Sequence, residues 1–337
     1  MKRVLLASTA LCLGAGTAFA QDMGMADDGM MMDMAPTVTI GGNGRMGVVS
    51  NTNEDLVFSS RVRVVFTLAK ELDNGLSAGG SIRADNASGG ASGTGGNIYL
   101  SGPFGKLAMG DLDSAAKSAV GNVDGVGYTE VGDAQTIEYL RGDKTGSGEA
   151  EDPTLLYTLP KMGPVSMFAS IAVADVVEEG EVQAGRTEIS ADTLSFGAKA
   201  DLSIADMGKA WISGGFEATP GDNEDGHLVF GAGASMSGFT GKVVAGSQSR
   251  DANADGEDQD REQFAISAGY SAGQMGVTVF YAESDFRAAD EKESLGAGFS
   301  WSLGGGASLK AGFTNWPAQT EGAEDKQAAD LGVTFAF

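Results

Sequence analysis

Cysteine is almost missing from this chain: its one thiol, Cys12, falls within the first twenty residues, so the rest has no disulfide to draw on. Histidine is as scarce. His227 stands alone beside an acidic stretch, and neither a Ser-His pair nor a metal-hydrolase centre finds partners at recognisable spacing around it. Basic charge is outweighed, with 22 lysines and arginines against 46 acidic residues and a net charge of −24. Such a balance repels phosphates and excludes nucleic acid as a partner. Past the leading residues, no segment approaches the roughly 20 apolar residues that a membrane helix needs. No Gly-rich phosphate loop leads from a strand into a helix. Helical periodicity is lacking as well, and a chain of 337 residues without it reads as one large all-β unit.

The chain has in abundance glycine, 52 residues of it, and short alternating runs. Met1-Lys2-Arg3, an apolar stretch from Val4 to Gly16 and Ala18-Phe19-Ala20 before Gln21 read as a secretory signal peptide over 1–20. Its removal leaves 20 basic residues against 46 acidic ones, a charge near −26. Residues 21–36 form a Met- and Asp-rich flexible tail. From Thr37 onward sixteen runs alternate: 37–49, 56–70, 76–85, 96–102, 104–111, 154–159, 164–174, 193–202, 208–217, 227–236, 239–249, 263–271, 274–283, 294–303, 306–315 and 329–337. Most are near the roughly 9–11 residues that a tilted strand needs to cross hydrocarbon, and an even number lets both ends lie on one side. Acid-rich disorder would not repeat so regularly.

Connections alternate between tight Gly- or Asn-bearing turns, such as Ser237-Gly238 and Gly304-Gly305-Gly306, and long acidic loops. A soluble sandwich has hairpins but does not segregate loop lengths in this way. Within 56–70, Leu56, Phe58, Val62, Val64, Phe66 and Leu68 share one parity, and Ser59, Arg61, Arg63 and Thr67 the other. In a wide barrel the polar face lines water and the apolar one meets lipid. Trp211, Tyr270, Tyr281, Trp301 and Trp316 lie near run ends, where interfacial girdles belong, because a barrel with a wet interior offers no core to hold them.

The last strand carries Leu331, Val333, Phe335 and the terminal Phe337 on one face. In ending on such a strand, the chain resembles Gram-negative outer-membrane barrels, whose terminal segment the assembly machinery reads. Phe58-Ser-Ser-Arg61-Val-Arg63, the stretch from Leu100 to Asp111, Val126-Gly-Tyr128-Thr-Glu130 and Leu155-Leu-Tyr157 resemble general porins, closest to the trimeric alphaproteobacterial type. The resemblance covers about Thr37 to Phe337. It implies a 16-stranded antiparallel transmembrane barrel (37–337) in the bacterial outer membrane, with short periplasmic turns and long extracellular loops. It further implies a homotrimer in contact with lipid and lipopolysaccharide, and a third loop folded inward over 112–153. The enterobacterial Pro-Glu-Phe-Gly-Gly-Asp signature is absent, so that branch's constriction geometry is not borrowed. The expected activity is passive, weakly cation-selective diffusion of small hydrophilic solutes and ions, with no enzymatic step. The alternatives are a surface-structural or adhesive barrel with divalent-cation-binding loops, and a hydrolase centred on His227.

Two clusters are candidate sites. The third loop and its approach carry Asp111, Asp113, Asp124, Glu130, Asp133 and Glu138, and parity places Arg45, Arg61, Arg63 and Arg83 inward. Acid facing an arginine wall would set a transverse field in a narrow passage. Asp251, Asn253, Asp255, Glu257 and Glu262 fit a calcium-loop spacing with Gly256 at its turn. Asp258 replaces the usual apolar anchor, and strands flank the loop where an EF-hand has helices. No cofactor is required; Ca2+ in that extracellular loop, or Cu(I) on the methionine-rich tail, are the metal readings.

Overall fold

The computed structural model describes residues 35–52, 54–87, 93–129, 137–140, 153–172, 193–204, 208–219, 225–249, 260–286, 289–316 and 325–337. The expected leader and nearly all of the tail lie outside them. Sixteen strands follow in chain order: β1 (Thr37–Asn51), β2 (Val57–Glu71), β3 (Ser77–Ala87), β4 (Gly93–Gly102), β5 (Gly105–Gly110), β6 (Thr154–Thr158), β7 (Val165–Ala172) and β8 (Thr193–Ile204). They continue as β9 (Gly208–Ala218), β10 (Gly226–Met236), β11 (Phe239–Ser249), β12 (Arg261–Ala272), β13 (Met275–Phe286), β14 (Ala289–Gly304), β15 (Ala307–Trp316) and β16 (Lys326–Ala336). Each pairs antiparallel with its chain neighbours, and β1 pairs with β16, so the sheet closes on itself. Closure leaves no edge, and every strand finds both its partners.

The sixteen expected runs and the sixteen strands coincide in number and order. β1 begins at Thr37, where alternation begins. The largest differences lie at the long-loop rim. β14 starts at Ala289 and β4 at Gly93, earlier than their apolar alternation. Pairing there goes on above the apolar belt, as in Glu283 with Glu293, and no hydrocarbon imposes a period of two on the side chains. At the other rim, Ser237 (φ 50°) and Gly238 (φ 88°) bridge Met236 to Phe239 as a two-residue hairpin with both residues left-handed. Ser237 is the one non-glycine residue with positive φ among those described.

Apolar side chains cover the outside. Phe58, Val62, Phe230, Phe239, Ile266, Val277 and Leu295 are all exposed, Phe58 by 86%. In water so wide an apolar surface would aggregate; in lipid it is the lower-energy arrangement. Tyr270 and Trp301 join this face. Trp211 and Trp316 do not: Trp211 alternates with exposed Ile212, and Trp316 shares the face of fully buried Thr314. Both therefore point inward, which corrects their placement in the girdles.

The interior is not simply wet. The connection after β5 contains a short helix, α1 (Ala115–Val120), although the sequence shows no helical periodicity there. Ser114 caps it, its Oγ accepting from the Lys117 amide at 3.2 Å, and Gly121 ends it at φ 63°. Val120, Val123, Val126, Ile137 and Tyr139 of this connection cluster with Val229, Val244, Ala265 and Phe280 of the wall. The barrel thus holds a small apolar core, contrary to expectation, between its own wall and its third long loop.

Candidate pore constriction

Hydroxyl-bearing and glycine residues on the inner wall seat the loop. The first amides of a helix lack intrahelical partners; here Ala115 donates to Ser170 Oγ at 2.9 Å and Ala116 to Ser195 Oγ at 2.8 Å. Glycine on the wall makes the approach possible. A Cβ at Gly197 would come within 2.2 Å of the Ala115 carbonyl oxygen, and one at Gly215 within 2.6 Å of Ala116 Cβ. Further along, the Asp124 amide donates to Ser267 Oγ at 3.2 Å, and Lys242 donates to the Asn122 carbonyl. Tyr128 packs over Gly47 and Gly332, its hydroxyl donating to the Ser59 carbonyl at 3.4 Å. Burial pushes its phenol above the ordinary value, so it stays a neutral donor at neutral pH. The Thr129 amide and hydroxyl both donate to Asp330, at 2.7 and 2.6 Å. Between Ala115 and Thr129 the loop therefore runs around the inner wall from β7 to β16, β1 and β2.

A second stretch is pinned nearer the long-loop rim. The Glu138 amide donates to Gln263 at 2.6 Å and the Leu140 amide to Glu217 at 2.8 Å. Tyr139 hydroxyl donates to the Gly121 carbonyl at 2.9 Å, tying the two stretches together. Glu138 pairs with Arg261 of β12. It therefore does not face the arginines of β1 to β3.

Those arginines share the luminal face. Arg61 stands opposite Arg45 in the β1–β2 register and donates to Asn43 at 3.2 Å. Like charges directly opposite one another are unfavourable, a cost that hydration in the lumen reduces. Arg45 reaches the Tyr128 carbonyl at 3.5 Å. Arg63 is bidentate on Asp85, with contacts of 2.7 and 2.9 Å, and Arg83 lies 3.6 Å from the same carboxylate. Asp85 was missed by the sequence reading, although it shares a strand face with Arg83. Asp111 is brought to this group: a Cβ at Gly95 would lie 2.1 Å from its Oδ2 and 3.5 Å from Arg83 Nη2. Asp113 instead pairs with Lys117 at 3.3 Å, and Asp124 lies beneath α1. Glu130 and Asp133 fall outside the described residues. The result is an arginine-rich strip on β1 to β3, partly neutralised by Asp85 and Asp111, beside a lumen narrowed by the loop.

A family model described as Gram-negative porin matches residues 7–336. The chain belongs to the Gram-negative porin family. It is 31% identical over 312 residues to a porin of Rhodobacter capsulatus, covering 89% of this chain and all of that one. A porin structure refined at 1.8 Å superposes with a TM-score of 0.70 at 27% identity, over 89% of this chain and 100% of that one. A triple mutant of the Rhodopseudomonas blastica porin shares the fold, with a TM-score of 0.65 at 21% identity over the same shares. The barrel is thus an outer-membrane, multi-pass porin channel, its short turns periplasmic and its long loops extracellular.

Other candidate residues of the porin separate cleanly. Asp251, Asn253, Asp255 and Glu257 lie outside the described residues. Glu262 belongs to β12, where it accepts from Ser247 at 2.7 Å. Among the described residues no group of three or more His, Cys, Asp or Glu side chains is arranged to hold a metal. His227 is fully enclosed, its Nδ1 3.3 Å from Glu217 and its ring edge-on to Tyr139 at 5.4 Å. No solute reaches it while the loop is seated, and its place is beneath the loop's anchor.

Proposed function

We propose that this porin is a passive, water-filled pore for small hydrophilic solutes and ions, weakly selective for cations at low salt, and that it carries out no catalysis. The arginine strip beside a lumen narrowed by the third loop is the observation that supports a field-bearing constriction. Two charge sets oppose each other. The excess acid of the chain enriches cations at the mouths, and the strip resists them, so the net preference is small and shrinks as salt rises. Reversal potentials across a planar bilayer under a KCl gradient test this reading. A modest cation preference at 0.1 M that fades at 1 M is the expected result; clear anion preference at low salt would overturn it.

The working unit in this reading is a homotrimer, with residues 1–20 removed on export and 21–36 left as a flexible arm. Phe337 is presented to the assembly machinery, and acidic extracellular loops hold divalent cations against lipopolysaccharide. The loop carrying Asp251, Asn253, Asp255 and Glu257, which leads into Glu262 at the head of β12, is the place for Ca2+. Crosslinking of the folded protein in outer-membrane vesicles, with and without chelator, tests the trimer and the cation together.

A further inference from the structure

A cavity of about 680 Å3 lies beneath α1, walled by the luminal faces of β8 to β11 near their periplasmic ends. Its charge runs against that of the chain. Lys117, Lys199, Lys209 and Lys242 line it, opposed by Asp124 and Asp201 and by Asp113, which pairs with Lys117 at 3.3 Å. Asp201 divides itself between Lys199 and Lys161, each at 3.7 Å, so it offsets Lys199 only in part. Lys242 donates to the Asn122 carbonyl.

Trp211 supplies an apolar surface. A Cβ at Gly233 would come within 2.7 Å of the indole Nε1, and one at Gly231 within 3.1 Å of Cζ3. The ring therefore lies flat across β10, where glycine alone leaves it room. The ammonium groups of Lys199 and Lys242 stand 5.0 and 5.4 Å from the ring centroid. An aromatic plane beside two ammonium groups, in a cavity of the luminal wall, suits a flat anion whose body stacks and whose carboxylates meet the lysines.

We propose that this cavity is a binding subsite for small aromatic polycarboxylates, open from the periplasmic side. The inference rests on the pore reading for access, but binding can be measured without current. Calorimetric titration of the solubilised protein with terephthalate, with succinate as the charge-matched aliphatic probe, should show terephthalate binding several-fold tighter. Lys199→Gln with Lys242→Gln should weaken both about tenfold through lost charge, and Trp211→Leu should weaken terephthalate alone. Lys242 also touches the loop, so Lys209→Gln is the second variant. It should weaken terephthalate about threefold while leaving the heat-modifiable gel mobility of the folded barrel unchanged. In single-channel recordings, periplasmic terephthalate should interrupt the current at lower concentration than extracellular terephthalate. Equal heats for wild type and the lysine variants, or no heat with terephthalate, would overturn the subsite. An absent current with normal binding would instead overturn the pore reading and leave the subsite standing.

Discussion

Asp85 decides how much positive charge the constriction presents, so Asp85→Asn is the most direct probe of the field. Its carboxylate is shared by Arg63 at 2.7 Å and Arg83 at 3.6 Å, and its side chain is only 9% exposed. The two guanidiniums are wetter, at 26% and 35%. Losing the carboxylate therefore releases two arginines that can hydrate, and the barrel should remain folded. The local charge rises by one unit. For an ion passing about 6 Å away through water, one unit charge changes the energy by about 0.7 kcal/mol, roughly threefold in occupancy. Cations and anions shift in opposite directions, so their permeability ratio should move toward anions by up to about tenfold in dilute salt. Screening should cut this to about 3.5-fold at 0.1 M and about 1.4-fold at 1 M, where the Debye lengths are near 10 and 3 Å. Reversal potentials at 0.1 and 1 M KCl measure both numbers. Arg63→Ser removes charge of the other sign and should shift the ratio toward cations. If Asp85→Asn leaves the potential unchanged, or if both variants move it the same way, this strip does not set the pore's field.

Other perturbations separate the faces and the loop. Val62→Arg places a charge on the lipid side, costing about 2–4 kcal/mol near the midplane; heat-modifiable gel mobility should show little folded barrel, whereas Arg61→Ser with Arg63→Ser should fold normally and conduct more. Gly215→Leu drives a side chain into Ala116, whose Cβ already lies 2.6 Å from the position of a single added carbon; the loop should lift, giving higher and noisier single-channel conductance, and an unchanged trace would refute the seating. Deleting Phe337 removes an exposed terminal ring and the closing bonds of the Gly42 amide to its carbonyl (2.9 Å) and of its own amide to the Gly42 carbonyl (3.1 Å); surface levels should fall sharply while conductance per surviving pore is kept.

The strands were legible because lipid enforces their pattern. Each crossing must present apolar groups at alternate positions, and no local propensity can override that at membrane depth. The same parity was sufficient to place Trp211 correctly, since exposed Ile212 follows it; the girdle reading went astray by using distance from the run end instead of face. Six residues of α1 are too few for a period of 3.6 to stand out, and the helix exists because the wall satisfies its amides, not because its sequence insists on it.

The site was less legible for a different reason. An arginine's face follows from its own strand, but its partner belongs to whichever strand the barrel brings beside it. Asp85 could be found, being two residues from Arg83 on a strand that neighbours Arg63. Glu138 could not, because Arg261 lies 123 positions away and meets it only through the path of the loop. That path is written in the wall and not in the loop. Small residues at Gly47, Ser170, Ser195, Gly197, Gly215, Ser267 and Gly332 form the track. In a strand sequence they look like ordinary lumen positions. A loop laid over them fills space that larger side chains would otherwise occupy. The constriction is therefore as much a property of what the wall leaves out as of what the loop carries.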